Sequence, residues 1–160
     1  MKYYSLIIFI LSFTTFIKAQ TPDCSGLVKF TEGDRGGYNR ETITLPGMEI
    51  RVRNVKLSYM VVLITLTDKT KCFERGKPVV FVFEDNSRVE MPNDNDLPCS
   101  NEGLINLGGQ HKHLAELQQL KSNLVRTIKI LSKEGIIESN FSKDEQGLFR
   151  DVMNCLAGKL

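Results

Sequence analysis

Tryptophan is absent from this 160-residue chain, and histidine occurs only twice. Without indoles, flat stacking surfaces for sugar rings or bases are scarce, although its four tyrosines and nine phenylalanines can still serve. A dominant charge is lacking too. Lys and Arg number 21 and Asp and Glu 19, and setting aside Lys2 and Lys18 leaves 19 against 19. Binding nucleic acid needs a phosphate-neutralising excess, and simple adhesion to anionic lipid needs a basic one, so neither is expected. There is no Gly-x-Ser-x-Gly elbow and no Cys-His signature. Gly33-Asp34-Arg35-Gly36-Gly37 lacks the Gly-Lys-Ser/Thr ending of a phosphate loop and reads as turns. Glu84, Asp85 and Glu90 fall on a hairpin and its turn, where charge is expected. No residue is assigned a catalytic role, and no cofactor is implied.

What is present begins with the first nineteen residues. Met1-Lys2 is followed by an apolar run, Tyr3 to Ile17, interrupted only by Ser and Thr, and Lys18-Ala19-Gln20 closes it. This is the pattern of a secretory signal, too short for a membrane span. The expectation is a signal peptide over residues 1–19 and a single exported domain over 20–160, periplasmic or extracellular, with no transmembrane segment in the mature chain. Thr21-Pro22-Asp23 before Cys24 does not fit a lipoprotein signal. In an exported chain, Cys24, Cys72, Cys99 and Cys155 read as disulfides, with three possible connectivities. Cys72 precedes a strand and Cys99 follows the strand pairing back along it, which favours Cys72–Cys99 and leaves Cys24–Cys155 to tie the chain ends. Reduced buried thiols are the alternative. A zinc knuckle is disfavoured because no two cysteines have its close spacing.

Alternation predicts a strand over Glu49–Asn54, with Ile50 and Val52 inward and Arg51 and Arg53 outward. The apolar phase then shifts to Val55, Leu57 and Tyr59, which suggests a bulge or break near Asn54. Met60–Leu66 and Val79–Phe83 are apolar on both faces and read as central strands. Glu84-Asp85-Asn86-Ser87 supplies turn chemistry, and Arg88–Met91 returns as the hairpin partner. A short strand is expected at Leu27–Phe30. Pro92–Gly109 reads as a long polar loop. A helix over Lys112–Ser122 shows Leu114, Leu117 and Leu120 on one stripe. Leu124–Leu131 and Ile136–Phe141 flank a turn. Ser142-Lys143-Asp144-Glu145 is a capping box for a last helix with Leu148, Phe149, Val152, Met153 and Leu156 on its apolar face. The expected fold is α+β: one domain, an antiparallel sheet of about five to seven strands, and two helices in the C-terminal half.

His111 and His113 are the candidate metal ligands, with Asp94, Asp96 and Glu102 nearby in sequence. Two solvated imidazoles at a loop–helix junction explain the same pair. Asp94-Asn95-Asp96 resembles part of a calcium loop but lacks its glycine and closing Glu. Arg51 and Arg53, with Arg88 and Lys56, offer a possible anion-binding face or an ordinary solvated sheet face. Asn140-Phe141-Ser142 matches a glycosylation sequon.

Lys18-Ala19-Gln20, the hairpin Gly76–Val89, the stretch Leu120–Ile130 and the closing Asn154-Cys155-Leu156 together carry a family likeness. Over most of residues 57–156 the chain resembles small exported proteins of unknown function from Bacteroidota-type bacteria. The resemblance implies an exported α+β domain with no assigned activity and no catalytic residues to transfer. The expected function is therefore non-enzymatic: binding of a protein or small-molecule partner, with Pro92–His113 as the working surface. The alternative is a small metal-binding protein or metal-dependent hydrolase built on His111 and His113.

Overall fold

The computed structural model describes residues 24–27, 29–31, 37–39, 42–55, 58–109, 113–132 and 134–158. Residues 1–19, the Gly33–Gly36 turns, Lys56, Leu57 and His111 lie outside that set. The strands are β1 (Lys29–Thr31), β2 (Gly37–Asn39), β3 (Ile43–Leu45), β4 (Met48–Val55), β5 (Tyr59–Leu66), β6 (Phe73–Glu74), β7 (Pro78–Phe83), β8 (Arg88–Pro92), β9 (Cys99–Ser100), β10 (Glu102–Leu107), β11 (Val125–Ser132) and β12 (Gly135–Asn140). The helices are α1 (Leu114–Ser122) and α2 (Lys143–Ala157). The α+β class, the antiparallel pairing and the two late helices match expectation. The strands divide between two main sheets rather than forming one. A six-stranded sheet runs β1-β2-β4-β5-β10, with β3 also on β4; a four-stranded sheet runs β12-β11-β7-β8; β6 and β9 form a small ladder.

Strand alternation points each sheet inward. Met48, Ile50 and Val52 of β4 register with Leu66, Ile64 and Val62 of β5, and all six are buried. In the other sheet Val79 and Phe81 lie beside Ile130 and Ile128 and opposite Met91 and Val89. The amphipathic α2 adds Phe149, Val152, Met153 and Leu156 to this core. Phe149 stacks on Phe81 with ring centroids 6.2 Å apart and tilts against Phe141 at 5.6 Å. Buried Asn54 ties the helix to β4, its Nδ2 donating to the Leu156 carbonyl at 3.3 Å.

Three expectations are corrected. The phase change after Asn54 is a chain reversal: β4 and β5 form a hairpin in which Val55 registers with Tyr59 and Ser58 N–H donates to the Val55 carbonyl. A hairpin connection resets the facing of side chains just as a bulge does. Pro92–Gly109 is not all loop, because Glu102–Leu107 is β10, paired along β5 from Glu102↔Thr65 to Leu107↔Met60. Its inward positions are Gly103, Ile105 and Leu107, and the glycine hides the apolar period. No side chain fits at Gly103, since an added Cβ would lie 2.5 Å from the Phe73 ring. Leu114 is 46% exposed, so the apolar stripe of α1 narrows to Leu117 and Leu120.

Candidate functional site

Among the described residues a concavity lies between the two sheets, where the edge of one faces a turn of the other. It is a cleft of about 380 Å³. One wall is Ile136, Ile137 and Glu138 of β12. The other is Pro46 and Gly47, the turn from β3 to β4, with Leu66, Asp68 and Lys71 completing it. Gly47 holds a φ of +79°, which the tight Leu45↔Met48 turn requires.

Hydrogen-bond phase decides what β12 offers this cleft. Ser132 and Gly135 close a two-residue hairpin, which makes them a hydrogen-bonded pair. Phe141 N–H donates to the Arg126 carbonyl at 2.9 Å, in the same phase. Gly135, Ile137 and Ser139 therefore exchange bonds with β11, whereas the N–H and C=O groups of Ile136, Glu138 and Asn140 point away from it. Among the described residues no strand pairs on that side. The outward-bonding Ile136 and Glu138 both line the cleft, together with Ile137, and Ile136 is 61% exposed.

The charges at the mouth are mixed. Glu138 accepts from Lys129 Nζ at 2.8 Å. Asp68 Oδ1 accepts from the Thr70 hydroxyl at 2.6 Å and from its N–H at 3.0 Å. Those bonds hold the Asp68 carboxyl below its ordinary range. A smaller recess of about 190 Å³ is lined by Cys72, Glu74, Pro98, Cys99, Ser132 and Glu134. It shares the β11–β12 end of the molecule with the cleft.

Both expected disulfides are present: Cys72–Cys99 with Cα atoms 5.3 Å apart and Cys24–Cys155 at 5.6 Å. Of the candidate metal ligands, the described His113, Asp94 and Asp96 each have other near neighbours. His111 lies outside the described residues. His113 precedes α1 in a left-handed conformation (φ 53°) with no side-chain cap, its Nδ1 3.7 Å from Glu116 Oε1. Asp94 Oδ2 accepts from the Asn106 N–H and Nδ2, and Asp96 sits 3.7 Å from Arg75. Among the described residues no three His, Cys, Asp or Glu side chains form a metal-holding group.

The basic face is divided as well. Arg51, on β4, lies 3.8 Å from Glu49, and Arg88 belongs to the other sheet, 3.2 Å from Glu90. The Asn140 side chain accepts from the Thr127 hydroxyl at 2.7 Å.

Within Pro92–His113, the described stretch Asn93–Asn106 is largely pinned. Asn93, buried and unmarked by any sequence pattern, accepts on Oδ1 from the Asn95 and Leu104 N–H groups and donates from Nδ2 to the Glu74 carbonyl. It joins the end of β8 to β10, closing one side of the two-sheet assembly and leaving the cleft on the other. The edge at β12 was also missed in the sequence, because strand order is set by pairing and not by composition. Among the described residues no helix is long and apolar enough to cross a membrane. Compared with protein-family models, curated proteins and solved structures, the chain matches none.

Proposed function

We propose that this chain is an exported, non-enzymatic domain that binds an extended segment of a partner protein in the cleft between its sheets. The observation that carries the reading is the outward hydrogen-bonding edge of β12, which no described strand pairs, lining that cleft. An added strand would take its main-chain bonds from Ile136 and Glu138 and set apolar side chains against Ile136, Ile137 and Leu66. Export is supported by the signal-like leader and by two disulfides, which persist in oxidising compartments.

The test uses Glu138→Pro. This substitution deletes an outward N–H and the Lys129 ion pair but no main-chain bond to β11, so an edge strand tolerates it. A library of linear displayed peptides, selected on the wild-type protein, is expected to enrich sequences with alternating apolar residues. Those peptides should lose binding to Glu138→Pro while its thermal unfolding stays within a few degrees of wild type. Failure to enrich extended peptides, or binding indifferent to Glu138→Pro in a folded variant, would overturn the reading.

A further inference from the structure

The two disulfides differ in access, and that difference assigns them different chemistry. Cys155 is 2% exposed on the inner side of α2, and its partner Cys24 is half-buried. Cys99 is exposed, Cys72 is half-buried, and both line the 190 Å³ recess. A thiolate attacking a disulfide must reach one sulfur in line with the bond to the other, and of the four half-cystines Cys99, at the recess, is the exposed one. We propose that Cys72–Cys99 is a site of thiol–disulfide exchange with a dithiol reductant, and that its opening unlatches the segment Asp96–Ser100. This rests on bridge access and stands apart from the peptide-binding reading.

The reaction balances within the two partners. One thiolate of the dithiol attacks Cys99 Sγ, the bond to Cys72 breaks, and Cys72 leaves as a thiolate that takes up a proton. The second thiol of the reductant, deprotonated, attacks the mixed disulfide and releases Cys99 as a thiol. The dithiol ends oxidised to its disulfide, and the protein bridge is reduced by two electrons.

The surrounding architecture keeps the effect of reduction local. The β6–β9 ladder has two residue pairs, Phe73↔Ser100 and Glu74↔Cys99, so the covalent bond is a large part of what joins these strands. On one side, β6 stays tied through Glu74 to Asn93 and through Phe73, which is buried over Gly103. On the other, the segment is tethered at its ends: Asn95 Nδ2 donates to the Glu102 carbonyl at 2.8 Å, and Leu66 N–H donates to the Asn101 carbonyl at 2.8 Å. Between those tethers lies Leu97, 56% exposed. Reduction therefore frees a five-residue flap over the recess and leaves the two sheets in place.

The experiment exposes native, fully oxidised protein to dithiothreitol, quenches samples over time with N-ethylmaleimide and maps the labelled cysteines by mass spectrometry. Cys72 and Cys99 are expected to be labelled at least about tenfold faster than Cys24 and Cys155, since exchange rate follows access. Equal rates, or earlier opening of Cys24–Cys155, would overturn the proposal. Hydrogen exchange on the selectively reduced protein is expected to rise across residues 96–100 and to stay unchanged in β5, β7 and β11. A rise throughout the core would show unfolding rather than unlatching and would equally overturn it. Cys72→Ala/Cys99→Ala, which cannot form the bridge, should reproduce the local exchange pattern of the reduced wild type.

Discussion

Among single residues, Asn93 carries more of the architecture than its composition class suggests. Its side chain satisfies a strand N–H on β10 and a carbonyl on β6, while its own N–H donates to the Lys77 carbonyl. Asn93→Ala would leave the Leu104 N–H and the Glu74 carbonyl without these partners, at an expected cost of about 1–3 kcal/mol. Urea denaturation would show it as a lower midpoint with an unchanged slope. Asp85 makes a smaller, pH-dependent contribution. Its Oδ1 accepts from the Ser87 hydroxyl at 2.6 Å and N–H at 2.9 Å, and these bonds hold its carboxyl below the ordinary value of 3.8. The folded pKa is thus depressed relative to the unfolded one. The contribution is present above the ordinary value and is lost as pH falls through the folded value. Asp85→Asn is therefore expected to flatten stability against pH on the acid side, between about pH 5 and pH 2. Thermal unfolding across that range checks it; an unchanged acid slope would remove the assignment.

At the level of elements, the start of α2 is where sequence and structure agree most closely. The Ser142 hydroxyl accepts from Glu145 N–H at 3.3 Å, and Glu145 Oε2 accepts from Ser142 N–H at 2.6 Å, the full reciprocal box. Lys143 reaches across to Glu84 at 2.8 Å, docking the same turn on the end of β7. Ser142→Ala is expected to destabilise the protein by about 0.5–2 kcal/mol, read from denaturation monitored by circular dichroism, with Ser142→Asp restoring most of the loss. Such caps are legible because their partners lie three residues apart. β10 was not legible for the opposite reason. Its strand character comes from pairing with β5, some forty residues earlier in the chain, and its one inward glycine is small because Phe73 occupies the space.

For the molecule as a whole, the two disulfides set different constraints on the unfolded chain. Cys24 and Cys155 are 131 residues apart, and Cys72 and Cys99 are 27 apart. Chain entropy assigns about 5 kcal/mol to the longer loop and about 3.5 to the shorter one. Cys24→Ala/Cys155→Ala is accordingly expected to lower the denaturation midpoint more than Cys72→Ala/Cys99→Ala. The reverse order would mean that native contacts around Cys72–Cys99, and not loop closure, dominate its effect.

Strands with continuous apolar runs, the β7–β8 turn, the capping box and the Cys72–Cys99 pairing all followed from local pattern, because each is decided by residues within one element or at the ends of one hairpin, and Cys24–Cys155 followed as the remaining pair. Ile50 and Val52 alternate with Arg51 and Arg53 wherever that strand is placed. The partition into two sheets, the reversal after Val55, the seam held by Asn93 and the place of β12 at the end of its sheet among the described strands were decided only by the tertiary structure. The same β12 sequence would make an internal strand if another chain segment lay beside it. Which edge stays open depends on the order in which strands pair, and that order is a property of contacts distant in sequence.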